Sequence, residues 1–71
     1  MGKPNDPDRR ELVPEGFISV QDRLPLPGEQ VVAACPGFRI LAFLDAEGVW
    51  RDHARSRQLP EVVAWLGIQE L

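Results

Sequence analysis

Apolar residues recur in strand-like runs only from Phe17 onward, and turn residues punctuate those runs. Phe17-Ile18-Ser19-Val20 reads as a first short strand. Ser19 and Asp22 have the S-x-x-D spacing of a helix start. The residue before a proline is pushed out of the α region, so Leu24-Pro25 stops any helix within a turn. A single 3₁₀-like turn is therefore predicted between the strand and Leu24. Pro25 and Pro27 stiffen the link, and Gly28 supplies a turn that tolerates positive φ. Gln30–Cys35 and Phe38–Leu44 are the two best strands. Val31, Ala33 and Cys35 alternate with Val32 and Ala34, and Phe38, Ile40, Ala42 and Leu44 alternate with Arg39, Leu41 and Phe43. Both faces of both strands are largely apolar, which predicts central strands covered on each side.

The connections follow from turn chemistry. Pro36-Gly37 is a type II signature. That turn matches strand twist poorly in a two-residue hairpin, so a longer loop is expected there. Asp45-Ala46-Glu47-Gly48 fits a type I turn with glycine in the left-handed position, and Val49-Trp50-Arg51 returns as a further strand. Asp52–Pro60 is polar and reads as a loop with at most one helical turn. Glu61–Leu66 is a closing strand ended by Gly67, with Val63 and Trp65 on one face and Val62, Ala64 and Leu66 on the other. A helix over Glu61–Leu71 competes, because Val62, Trp65 and Leu66 also recur at helical spacing. The predicted fold is mostly β, a small antiparallel sheet of four or five strands with a short helical turn. The alternative is α+β with a C-terminal helix.

Residues 1–15 mix Pro4, Pro7 and Pro14 with charged side chains, and only Leu12 and Val13 could join a core. They read as a disordered arm before one small domain over 16–71; a short helix over Asp8–Val13, capped by Asp6 or Asp8, competes. A chain of 71 residues buries only about 60% of the surface it exposes when unfolded. That leaves little apolar surface for a deep pocket and points away from a small-molecule enzyme. The net charge of −3 does not favour general nucleic-acid binding, whose affinity comes from Lys and Arg. A single cysteine excludes an intrachain disulfide and fits a reducing compartment. With no signal-like start and no apolar run long enough for a bilayer, a cytoplasmic location is expected.

Candidate chemistry is sparse. Cys35 would need a base and an electropositive setting to act as a nucleophile, and His53 is the only histidine; a buried structural thiol is the simpler reading. One His and one Cys do not complete a zinc site, so no metal and no cofactor are expected. Asp22, Glu29, Asp45 and Glu47 each have a local task at a cap or turn. Arg51, Arg55 and Arg57 surround His53 as the one basic cluster of an acidic chain. If the loop coils, Arg51 and Arg55 share a face at i, i+4 spacing, a fork of guanidiniums that could read carboxylates or phosphate. Trp50 and Trp65 read as core pillars, with Trp50, beside the arginines, the better candidate for an interface residue.

Phe17-Ile18-Ser19-Val20, Asp22-Arg23-Leu24-Pro25, Pro27-Gly28-Glu29, Val31-Val32, Gly48-Val49-Trp50 and Val62-Val63-Ala64-Trp65 occur in this order. From Phe17 onward the chain thereby resembles the family of domains of unknown function numbered 551, small proteins found mainly in bacteriophages and prophages. Three details depart from that family's pattern: Phe17 replaces a tryptophan, Ala64 a common histidine, and Leu66-Gly67-Ile68 a proline-rich ending. The resemblance implies a phage or mobile-element origin and carries over no functional residues. The functional expectation is a non-enzymatic protein-binding module, which in the setting the resemblance implies is a phage accessory protein engaging a host protein, with Trp50, Arg51, Arg55 and Arg57 as its contact surface. A nucleic-acid-associated module using the Arg51–Arg57 loop is the alternative, and an enzyme built on Cys35 and His53 a third. A single small sheet leaves one face poorly covered, which homodimerisation would cover.

Overall fold

The computed structural model describes residues 12–70, with Glu70 as backbone only. Five strands, β1 (Ile18–Ser19), β2 (Val31–Cys35), β3 (Phe38–Leu44), β4 (Trp50–Asp52) and β5 (Ala64–Gly67), precede a 3₁₀ turn over Ile68–Glu70. They form one antiparallel sheet in the order β1-β5-β2-β3-β4. The fold is therefore mostly β, and the closing segment is a strand. β-branched Val62-Val63 leads into it, and its backbone is shared between two neighbours, β2 on one side and β1 on the other. A helix there would forfeit both ladders. Among the described residues, no helix is long and apolar enough to cross a membrane.

The first strand is shorter than its sequence suggests. Phe17 leaves the ladder to pack beside Ala34, Val63 and Ala64. Val20 starts the expected turn, in which the Asp22 and Arg23 amides donate to the Ser19 carbonyl at 2.9 and 3.1 Å. The Ser19 hydroxyl accepts the Gln21 N–H at 3.1 Å, a cap-like contact that settles the corner. The carbonyl of Arg23 then accepts the indole N–H of Trp65 at 2.8 Å, and the Arg23 guanidinium lies 5.4 Å from the centre of that ring. Trp65 is only 5% exposed, so this acceptor satisfies a polar atom that burial would otherwise leave costly.

Two expectations about β2 and β3 are corrected. Cys35 pairs directly with Phe38, so the connecting loop is the two residues Pro36-Gly37 and no longer. Gly37 takes φ +89°, which suits the second central position of a type II turn after proline. The poor twist match is tolerated because five consecutive pairs, from Val31↔Ala42 to Cys35↔Phe38, hold the register. Burial fixes that register, since a one-residue slip would exchange every side chain between faces.

The second correction concerns cover. Register places Val31, Ala33, Cys35, Ile40, Ala42, Leu44, Trp50 and Trp65 on one face. Val20, Leu59 and Val62, all supplied by connections, help fill that face. We call it the packed face. The opposite face carries Val32, Ala34, Arg39, Leu41, Phe43, Arg51, Ala64 and Leu66. Among the described residues its cluster of Ala34, Val63 and Ala64 is covered by Val13 and Phe17. Leu41 remains 42% exposed, and Val32, Phe43 and Leu66 are half-buried. Among the described residues this open face is covered at one corner only, because none of their connections crosses the rest of it.

Val13 also bears on the expected arm over residues 1–15. Most of that arm, and most of the alternative helix over Asp8–Val13, lies outside the described residues. Its end does not: Val13 packs against the sheet, and the Phe17 amide donates to the Pro14 carbonyl at 3.0 Å.

Candidate functional site

The four residues expected to form a contact surface lie on or beside β4. Asp45 sets up this region. Its Oδ1 accepts the amides of Glu47 and Val49 at 2.9 and 2.8 Å, the Gly48 amide donates to its carbonyl at 3.0 Å, and Gly48 takes φ +86°. This is the expected type I turn with a left-handed glycine, and it returns the chain as β4. Asp45 Oδ2 accepts the Arg51 Nε at 2.9 Å. The Val49 amide, and then the Arg51 side chain, hold the Asp45 carboxyl below its ordinary value.

β4 is the last strand of the sheet, yet its outer edge is not bare. Arg51 forms a bridge with Gln58, the Asp52 amide donates to the Arg57 carbonyl at 2.9 Å, and the Leu59 amide donates to the Trp50 carbonyl at 2.9 Å. The polar loop therefore folds back as a small hairpin. Asp52 Oδ1 accepts the amides of Arg55 at 2.8 Å and Arg57 at 3.3 Å, an Asx-type arrangement that organises the turn. These amide bonds, that of Arg55 foremost, keep the Asp52 carboxyl below its ordinary value. Ser56 is held at φ +59°, a left-handed conformation uncommon outside glycine.

The four residues divide into two pairs. Trp50 is half-buried against the packed-face cluster. Arg51 is a brace: besides Asp45 it donates from Nη1 to the Ser56 carbonyl at 2.9 Å, tying the Asp45 turn to the 53–57 loop. Because Arg51 lies in a strand, it does not share a helical face with Arg55. Arg55 and Arg57 are exposed at the tip. Sequence reasoning identified the cluster but gave Asp52 no part beyond opening the polar loop. An aspartate opening a polar loop after a strand was the available signal.

The nucleophile candidate is unpromising in its setting. Cys35 is 7% exposed, and burial pushes its thiol above the ordinary value, the opposite of what activates a cysteine. His53 is exposed, with its amide donating to the Leu41 carbonyl at 2.9 Å. A hollow of about 270 Å³ between Leu12, Pro14 and the Cys35–Arg39 hairpin offers Arg39 as its charged side chain. Among the described residues, no group of three or more His, Cys, Asp and Glu could hold a metal ion. Comparison with family models, curated proteins and solved structures finds no match.

Proposed function

We propose that the chain is a non-enzymatic protein-binding module that presents Arg55 and Arg57 to an acidic surface on another protein. The observation that supports this reading is the hydrogen bonding that ties down the backbone of the loop carrying them. Asp52, the Arg51 brace and the Gln58 bridge hold a left-handed serine in place, and such conformations persist where their surroundings over-determine them. A solvated charged loop needs no such scaffold. Two guanidiniums carried on a backbone held in one conformation leave less of the chain to order on binding, and they suit planar carboxylates. Arg51 braces the loop through the Ser56 carbonyl, and Trp50 anchors the same strand in the packed face. In the phage setting that the family resemblance implies, the partner would be a host protein.

Covalent capture from the source cells, with the wild-type chain and with Arg55→Glu/Arg57→Glu side by side, tests this. The expected result is a protein crosslinked to the wild type and lost with the double variant, whose melting curve is unchanged. Recovery of nucleic acid instead would replace the reading with the nucleic-acid alternative. Capture that survives the charge reversal would remove the site.

A further inference from the structure

A separate surface, independent of the arginine tip, carries a second inference. Leu66, Val32 and Leu41 lie side by side across β5, β2 and β3 on the open face. Above and below Leu41 on the same face and strand stand Arg39 and Phe43. Residues of one face recur about every 6.8 Å along a strand, so Arg39 and Phe43 are roughly 13 Å apart with Leu41 midway. We infer that the open face is the contact between two copies of this chain, related by a two-fold axis that runs along the Leu66–Val32–Leu41 row.

The pattern is self-complementary about that axis. Each apolar residue of the row meets its own counterpart, and Arg39 of each copy falls on Phe43 of the other. The Arg39 guanidinium already stacks at 5.1 Å from the centre of its own Phe17 ring, so the dimer places it between two aromatic faces, a favourable site for a guanidinium. Shape agrees with charge. Val13 and Phe17 raise the Arg39 end of this face, whereas Phe43 belongs to neither buried cluster. The two-fold sets the raised end of one copy over the lower end of the other. Arg39 of one copy also comes beside Arg51 of the other, the cross-strand neighbour of Phe43, and Asp45 offsets that second positive charge. The strand residues of the open face include no carboxylate, so an unrelated basic partner finds nothing to pair with there. A three-strand contact is small for a specific interface, which places the dissociation constant in the micromolar range.

Sedimentation equilibrium from micromolar to millimolar protein reads this directly. The expected result is a mass rising from 8.0 kDa towards twice that value. Leu41→Glu should keep the chain at monomer mass throughout, and its circular dichroism and urea midpoint should match those of the dilute wild type. The pairing itself is read from a cycle of Arg39→Ala and Phe43→Ala. Residues that do not touch within one copy should couple across the dimer, with Arg39→Ala weakening the wild type by about five- to twenty-fold and the Phe43→Ala variant hardly at all. Monomer mass at every concentration, a dimer indifferent to Leu41→Glu, or independent effects of the two alanine changes would each overturn the inference. Arg55→Glu/Arg57→Glu should dimerise normally, so either reading can fail without the other.

Discussion

Both faces of β2 and β3 are largely apolar, yet among the described residues only one face is packed. The difference lies in the connections. Val20 from the β1–β2 connection and Leu59 and Val62 from the β4–β5 connection converge on the packed face, whereas the open face receives Val13 and Phe17 from a single segment. Alternation within a strand thus assigns side chains to faces without deciding which face becomes core. That is decided by where loops of limited length can reach.

Trp65 and Leu66, adjacent in sequence and opposite in facing, give the sharpest contrast. Trp65→Ala removes a buried ring and orphans its hydrogen-bond acceptor, and should cost about 3–5 kcal/mol. In a domain this small that approaches the whole of its stability, so urea denaturation should find the variant largely unfolded. A variant that retained most of its stability would show that the packed face is not the core. Acid offers a second probe, of the β3–β4 end that joins the two faces. The carboxyls of Asp45 and Asp52 titrate below their ordinary value of 3.8, so the folded chain holds fewer of their protons than the unfolded chain near that pH. Their contribution is full above the ordinary value and is lost as pH falls through the lowered one. Melting temperature should therefore fall on acidification below about pH 4, and Asp45→Asn should both lower it by a few degrees at neutral pH and flatten the acid decline. Gly48→Ala, which forces a side chain onto φ +86°, should cost about 1 kcal/mol without altering either face. Leu66→Ala on the open face should have the smallest effect, under about 1 kcal/mol when measured on dilute protein. A loss matching that of Trp65→Ala would abolish the distinction between the faces.

The strands, the Asp45 hairpin and the corner after β1 were legible because each rests on local chemistry: alternation, a proline stop, a glycine in a left-handed turn. The Pro36-Gly37 loop was misjudged because local turn preference was weighed without the five-pair register that overrides it. The arginine cluster was visible as charge. Its division into a braced Arg51 and an exposed Arg55–Arg57 tip was not, since it depends on Asp45 lying across the β3–β4 pair from Arg51. The uncovered face was foreseen in general terms, but not which face it would be. The same apolar alternation that marks β2 and β3 as central also made both faces look buried.

Both outermost strands are unfit as templates for further strand addition. β1 has two residues, and the outer side of β4 is occupied by the Gln58 return. An exposed, unprotected strand edge invites open-ended growth. At these two strands the sheet withholds its edges, and what it leaves available instead is a face. The small polar return at Gln58 thereby keeps the outer side of β4 from a second chain, a consequence independent of whatever its arginines touch.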